Sequence, residues 1–360
     1  MPETVVVVGG GYAGIAVAKA LDDVADVVLV EPREALFHSV AALRGVVDPA
    51  WSGRLFLPYD RLLSRGRVVR DRAVRVDPTG VVLGSGARID ADFLVLATGS
   101  RYPFPAKTEL EDTASATAAF RTAQTVLASV DRILLLGAGP VGLELAGEIT
   151  AAWPDKSVTI VDPAPDVLSG PLPAALRAEL RRQLEVRGVE LLLGASLSEP
   201  PGTDPGTPGE FTVVTSTGGK ITADLWFRCF GVVPVSDHLT ADLVDARRPD
   251  GHVEVTPDLR LVGQRTVFVA GDLAATGEAP TASAAGRHAE IVAANIRALI
   301  DGAADLLRYE PPAPGIAVPL GPGGGASYSD ELGLVGAATT AEIKGADLMV
   351  EFYRDYLGLT

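Results

Sequence analysis

One short pattern occurs twice in this chain and constrains its fold more than any other feature. Gly9-Gly10-Gly11-Tyr12-Ala13-Gly14 and Gly137-Ala138-Gly139-Pro140-Val141-Gly142 share the spacing Gly-x-Gly-x-x-Gly, and each stands between an apolar run and an alanine-rich helical stretch. In the first copy residues 4–8 are a β-branched run suited to a strand buried on both faces, and residues 15–21 read as a helix packed on it. Gly9 permits the tight turn, Gly11 lets backbone N–H groups approach a pyrophosphate with no Cβ in the way, and Gly14 lets helix and strand pack closely. Tyr12 and Ala13 complete the loop, and the phosphates are expected at the partly positive helix N-terminus. The next strand, residues 26–30, ends at Glu31, 22 residues past Gly9. A ribose-binding acid is expected at a spacing of about 20.

The second copy repeats each part. Residues 133–136 read as the strand, a helix opens at Pro140 and Val141, and a further strand over residues 157–161 ends at Asp162, 25 residues past Gly137. An acid here accepts hydrogen bonds from an unphosphorylated ribose and repels a 2′-phosphate, and the next residue is Pro163 rather than an arginine. NADH is therefore favoured over NADPH. A single glycine turn is weak evidence; two, each with strand, helix and acid, predict two dinucleotides. A flavin and a nicotinamide held side by side serve hydride transfer between them.

At 360 residues the chain suggests two to three domains with a large interior. Its formal net charge of −15 argues against nucleic acid, whose binders need a basic face, and gives no attraction to anionic lipid. The sole cysteine, Cys229, lies in a strand-like run and reads as a small buried apolar residue. No internal disulfide and no electron relay through a cysteine pair can form. No metal is expected. The N-terminus enters the first strand without a signal peptide, and Pro2 stands where myristoylation requires glycine, so a cytoplasmic location is expected. The uncharged stretch 311–329 contains too many prolines and glycines for a membrane helix and reads as a structured loop or irregular strands.

The expected fold class is α/β, with two Rossmann-like dinucleotide-binding domains, one inserted in the other, and a small C-terminal α+β region. The FAD domain is assigned to residues 1–108 and 236–310, the NAD(P)H domain to 109–235, and the C-terminal region to 311–360. Alternating strands over 67–76 and 81–89 and a buried strand over 93–97 lead to Ala97-Thr98-Gly99-Ser100, after which Pro103 and Pro105 mark the crossing into the second domain. The chain returns at Gly231-Val232-Val233-Pro234. A buried strand over 266–271 then delivers Asp272 at a glycine turn, followed by a helix over 281–300. Asp272 can accept from a flavin ribityl hydroxyl, and the helix N-terminus near Ala282 can face the flavin ring, where its dipole favours the reduced, negative form.

With these pieces in order the chain resembles the two-dinucleotide-binding-domain flavoproteins, and within them the ferroptosis suppressor protein 1 (apoptosis-inducing factor 2, AMID) group and the related type II NADH dehydrogenases. The likeness covers nearly the whole length. It rests on Phe37-His38-Ser39-Val40-Ala41-Ala42-Leu43-Arg44, Gly142-Leu143-Glu144-Leu145-Ala146-Gly147-Glu148-Ile149, Gly286-Arg287-His288-Ala289 before Ala293-Ala294-Asn295-Ile296, and Ile343-Lys344-Gly345-Ala346-Asp347-Leu348. It implies an enzyme that oxidises NAD(P)H through FAD and reduces a quinone or another small two-electron acceptor. By the same resemblance Gly9, Gly11, Gly14 and Glu31 contact the FAD adenosine and pyrophosphate, and Val74 contacts the adenine through its backbone. Thr98, Gly99 and Asp272 follow further along the cofactor, His38 and Lys344 lie beside the flavin, and Glu144 faces the nicotinamide amide; Gly231, at the turn where the chain leaves the nicotinamide domain, is a further cofactor-binding candidate. Solvent, His38 and Lys344 are candidates for supplying protons to the acceptor.

Two alternatives are a reductase for a ferredoxin or rubredoxin, disfavoured by the acidic balance, and a non-enzymatic flavin/NADH redox sensor. Near the C-terminus Leu348, Met349, Phe352, Tyr353, Tyr356 and Leu357 share one face at helical spacing, with four acids against two bases around them. This stripe suits a helix docked on its own domain or on a second copy of the chain better than a lipid anchor. It leaves a homodimer in play, and peripheral membrane contact stays open but without support, since a lipophilic acceptor can still reach the stripe.

Overall fold

The computed structural model describes residues 2–359. In chain order, β1 (Thr4–Val8), α1 (Tyr12–Leu21), β2 (Asp26–Val30), the short helix α2 (Ala42–Gly45), β3 (Arg67–Val69) and β4 (Phe93–Leu96) come first. There follow α3 (Thr113–Ser129), β5 (Arg132–Leu136), α4 (Pro140–Ala152), β6 (Ser157–Asp162), α5 (Ala174–Val186), β7 (Glu190–Leu193) and β8 (Leu225–Arg228). Then come β9 (Val267–Val269) and α6 (Ala282–Ile300), and the chain closes with β10 (Ile316–Pro319), β11 (Gly325–Ser329), β12 (Gly333–Val335) and α7 (Val350–Tyr356).

Two parallel sheets organise these elements. The first has the order β9-β4-β1-β2-β3 and the second the order β7-β6-β5-β8. In the first, β1 is flanked on both sides, Val5 opposite Val27 and Phe93, and its valines are buried on both faces, Val5 and Val7 among α1 and α6, Val6 and Val8 among Val76, Val81, Leu83 and Leu239. That is why an unbroken β-branched run, rather than an alternating one, makes this strand. The strand order reverses at β1 in one sheet and at β5 in the other, and the crevice beyond the carboxyl end of such a strand is where doubly wound sheets bind ligands. The edge strand β9 comes back to the first sheet only after the whole second sheet has been built. The two passages between the sheets pair with each other, Ser100–Arg101 running antiparallel to Val233–Pro234.

The helix α1 lies along α6 through small side chains, with Ala13, Val17, Ala285, Ala289 and Ala293 in one core. A second core runs from α2 and α3 through the second sheet to the C-terminal hairpin, joining Leu43, Phe120, Leu143, Val318 and Leu320. Gly147 explains itself here: a Cβ on it would lie 2.4 Å from Leu320 Cα, so only glycine lets α4 meet the hairpin backbone.

Three expectations are refined. Residues 67–76 divide into β3, in the parallel sheet, and Ala73–Asp77, which joins an antiparallel meander with Gly80–Leu83 and Arg88–Asp90. Residues 311–329 hold a regular hairpin, β10 with β11, from Ile316 opposite Tyr328 to Pro319 opposite Gly325. The C-terminal stripe is not one helix: Leu348 and Met349 both take the left-handed conformation (φ +52° and +64°), and α7 begins only at Val350. Leu348 and Leu357 are buried against the chain's own body, whereas Phe352 is 53% exposed. No described helix is long and apolar enough to cross a membrane.

Candidate functional site

The two glycine turns are near copies in space as well as in sequence. Gly9 and Gly137 are left-handed, at φ +106° and +116°, while Gly11 and Gly139 both have φ −76° with ψ near −170° and −177°. A Cβ on Gly14 would lie 1.8 Å from the Gly9 carbonyl oxygen, and one on Gly142 would lie 1.9 Å from that of Gly137. A Cβ on Gly11 or Gly139 would meet nothing within 4 Å. No side chain caps α1 or α4, and neither has an acid in its first turn. Each helix therefore aims unsatisfied N–H groups, with the positive end of its dipole, into open space, which is the requirement for binding a pyrophosphate.

The two acids stand where the spacing placed them and are held alike. Glu31 accepts the Gly10 N–H at 2.7 Å with Oε2 and the Arg33 N–H at 3.0 Å with Oε1. Asp162 accepts the Ala138 N–H at 2.6 Å with Oδ2 and the Ala164 N–H at 2.7 Å with Oδ1. A carboxylate has about four acceptor positions, so each keeps lone pairs for ribose hydroxyls. The first turn has additional support that the sequence did not reveal. Tyr59 donates to the Gly10 carbonyl at 2.8 Å, and Arg33, 3.5 Å from Glu31, has a buried Nε without a partner. An orphaned donor at this place, beside Glu31, is one that a bound adenosine could satisfy. Val74 is the extra residue of a bulge between the pairs Ala73–Leu83 and Arg75–Val82.

Further along the same crevice, Thr98 donates to the Val235 carbonyl at 2.6 Å and Gly99, at φ +64°, accepts the Val235 N–H, which fastens the two passages between the sheets. Asp272 is clamped by residues from the first passage: Oδ2 accepts Ser100 Oγ at 2.6 Å and Lys107 Nζ at 3.0 Å. Burial alone would raise this carboxyl, but Lys107 and Ser100 outweigh burial and hold it below the usual carboxylate range. Its Oδ1 has no protein donor among the described residues. The first residue of α6 is Ala282; Thr281 caps the helix by accepting the Ala284 N–H at 3.1 Å. Gly231, at φ +100°, and Lys107 help line a cleft of about 510 Å³ together with Tyr102, Phe104 and Arg228. Cys229 lies behind the second glycine turn, 3% exposed, with burial pushing its thiol up to about 12, so it behaves as an inert apolar residue.

The fold also brings Glu144 and Lys344, 200 residues apart, into an ion pair at 2.8 Å. Burial raises the Glu144 carboxyl, and Lys344 offsets only part of that. One helical turn further along α4, Glu148 receives Arg44 in a bidentate bond, Nη2 to Oε1 at 2.7 Å and Nε to Oε2 at 3.0 Å, with both side chains almost wholly buried. Arg44 also donates to the Ala346 carbonyl at 3.0 Å, so α2, α4 and the C-terminal segment meet in one charge network. Removing one member strands the other in the interior. Glu148→Gln is expected to lower unfolding stability by about 3 kcal/mol in urea titrations, because breaking a buried pair leaves an uncompensated charge.

His38 is placed differently from the proton donor the sequence allowed. It is fully buried; Nε2 lies 2.7 Å from the Leu348 carbonyl oxygen, which can only accept, so Nε2 carries the hydrogen. Nδ1 then accepts the Tyr12 hydroxyl at 3.0 Å. Burial pushes the imidazole down to about 4, which keeps it neutral. The geometry makes His38 and Tyr12 a clasp on the left-handed turn at Leu348 and Met349, with Tyr353 packed against both rings.

Comparison with known proteins agrees with this architecture. Residues 3–289 match the family model described as pyridine nucleotide-disulphide oxidoreductase. Apoptosis-inducing factor homolog B of Dictyostelium discoideum is 29% identical, over 97% of this chain and 95% of that protein. Ferroptosis suppressor protein 1 of Taeniopygia guttata is 33% identical, over 81% of this chain and 79% of that protein. The sulfide:quinone oxidoreductase of Aquifex aeolicus has a similar fold, with a TM-score of 0.77 over 99% of this chain and 91% of that one at 15% identity.

Proposed function

The chain belongs to the pyridine nucleotide-disulphide oxidoreductase family and is an FAD-dependent enzyme that uses NAD(P)H; from that premise we propose that NADH is the donor and a quinone-type compound the acceptor. The observation that carries this reading is the duplicated glycine turn with its locked carboxylate. FAD is assigned to the first turn and to residues 1–108 and 236–310, and NADH to the second turn and to residues 109–235. The chemistry FAD supplies when bound is a two-electron relay from nicotinamide to acceptor.

The protein contributes alignment and electrostatics. Glu31 and the N-terminus of α1 hold one adenosine and pyrophosphate; Asp162 and the N-terminus of α4 hold the other. Thr98, Gly99 and the free Oδ1 of Asp272 receive the flavin side chain. Glu144, two residues into α4 after Gly142 and tied to Lys344, orients the nicotinamide amide. Holding the two rings in contact removes orientational entropy from the barrier. The α6 N-terminus at Ala282 favours negative charge in front of it. Lys344 is the protein group assigned to proton supply, with solvent behind it; His38, neutral and engaged at both nitrogens, holds the C-terminal turn instead. The single buried cysteine leaves no pair for a disulfide or sulfide relay, and the resemblance to the ferroptosis suppressor group and type II NADH dehydrogenases supports a quinone.

The expected result is a yellow protein whose flavin absorbance NADH bleaches without oxygen, more effectively than NADPH, and which then turns over steadily with added quinones. If a reduced iron–sulfur carrier forms readily while quinones leave the bleached protein unchanged, the acceptor is wrong and only the NADH half survives.

A further inference from the structure

We propose that His288 is a positioning residue for the flavin: by offering a lone pair to one backbone N–H, it fixes the turn from which Asp272 projects. This rests on the reading of Asp272 as a flavin contact. The Gly271 N–H donates to His288 Nδ1 at 3.1 Å. A backbone N–H cannot accept, so Nδ1 is the unprotonated nitrogen and Nε2 carries the ring hydrogen. That hydrogen goes to Glu278 Oε1 at 2.9 Å. Glu278 in turn receives Arg287 Nη2 at 2.7 Å and the Tyr309 hydroxyl, and the Tyr309 ring meets the imidazole edge-on at 4.6 Å. The surrounding groups thus enforce one tautomer in a side chain that is 2% exposed.

The turn it holds has little freedom to move. Gly271 is left-handed at φ +73°, and a Cβ there would lie 3.2 Å from Ala13 Cβ in the first turn of α1 and 3.7 Å from Ala285 Cβ on α6. Any displacement of this peptide is felt both at the pyrophosphate cradle and at Asp272. Ser100 and Lys107 fix the carboxylate from one side; His288 fixes its backbone from the other. The position therefore requires an acceptor toward Gly271 and a donor toward Glu278. A glutamine amide supplies both, and a leucine supplies neither.

The same geometry gives a signature that packing alone would not. Protonation would turn Nδ1 into a donor facing a donor. The charged and titratable groups around the ring are Glu278, Arg287, Tyr309 and Asp272; burial lowers the His288 pKa, and Glu278 counters this only in part. The neutral form is the one the folded protein holds. Its contribution is complete above the ordinary imidazole pKa of about 6.5 and is lost as pH falls from there through the lowered pKa of the folded protein.

The test follows flavin release on dilution of holoprotein, and the flavin midpoint potential, in wild type, His288→Leu, His288→Gln and Asp272→Asn between about pH 5 and 8. His288→Leu is expected to weaken FAD binding about tenfold, the effect of one lost buried hydrogen bond with its partner left unsatisfied. His288→Gln is expected to retain wild-type affinity and potential, and to lose the acid-side weakening that wild type shows. The proposal is overturned if His288→Leu holds FAD as wild type does, or if His288→Gln is as weak as His288→Leu or keeps the acid-side weakening. Should the leucine variant fail to fold, the glutamine variant and the wild-type pH profile still decide. If Asp272→Asn changes neither affinity nor potential, the reading of Asp272 itself falls; if it weakens FAD while His288→Leu does not, only the role of His288 falls.

Discussion

Gly11→Ala is expected to give a stably folded but colourless protein, and Gly139→Ala a yellow protein that NADH no longer bleaches. Both glycines have φ −76° with extended ψ, which alanine adopts freely, and a Cβ at either meets no protein atom within 4 Å. The fold has no objection to either change; alanine at a compatible position even stabilises by about 0.4–1 kcal/mol through the unfolded state. The methyl group would stand only in the open space assigned to the pyrophosphate. A displacement of about 1 Å at such a contact costs on the order of 100-fold, and here several N–H donors lose their reach together. Melting temperature, flavin absorbance and anaerobic NADH reduction separate the outcomes. Gly14→Ala is the contrasting variant: its Cβ would have to move at least 1.2 Å, from 1.8 Å to beyond 3.0 Å from the Gly9 carbonyl oxygen, so it should lose stability as well as flavin. If Gly11→Ala remains yellow and fully reducible, the first turn is not the cradle assigned to FAD.

Much of this architecture was legible because it is local. A glycine turn needs its strand before and its helix after within about 20 residues, and the acid ends the very next strand, so β1, α1, β2 and Glu31, and again β5, α4, β6 and Asp162, declare themselves in short windows. The network behind them was not legible, because its members are far apart along the chain. Arg44 reaches Glu148 over 104 residues, Lys107 reaches Asp272 over 165, and Lys344 reaches Glu144 over 200. Asp272, Glu144 and Lys344 stand out in the sequence one by one, but nothing there pairs Glu144 with Lys344 or brings Lys107 to Asp272, and Arg44, Lys107 and Glu148 look like ordinary charges on a helix or loop. Nor does periodicity reveal a backbone reversal: the C-terminal stripe has helical spacing, yet Leu348 and Met349 take left-handed conformations. The clasp from His38 and the Asp347 side chain, which accepts the Met349 N–H at 3.0 Å, accompany that break. Gly147 carried no local reason at all until the hairpin backbone was found against it.

Asp162→Ala is expected to move the enzyme from NADH toward NADPH, changing the ratio of their kcat/KM values by about 100-fold, while leaving flavin content unaltered. The sign follows from three consequences of one substitution. The ribose of NADH loses a charge-assisted acceptor, so its KM rises by about tenfold. A 2′-phosphate no longer meets a fixed carboxylate, which removes like-charge repulsion. In addition, the Ala138 and Ala164 N–H groups, now committed to Asp162 at 2.6 Å and 2.7 Å, become free to donate to that phosphate. The corresponding change in the first turn should behave differently: Glu31→Ala removes the acceptor for the Gly10 N–H and leaves Arg33 without its nearby carboxylate, so flavin, not nucleotide preference, is lost. The two carboxylates hold equivalent places in duplicated turns, so opposite readouts from equivalent substitutions are a direct test of which turn holds which cofactor. An Asp162→Ala enzyme that loses flavin and keeps its preference for NADH would reverse the assignment.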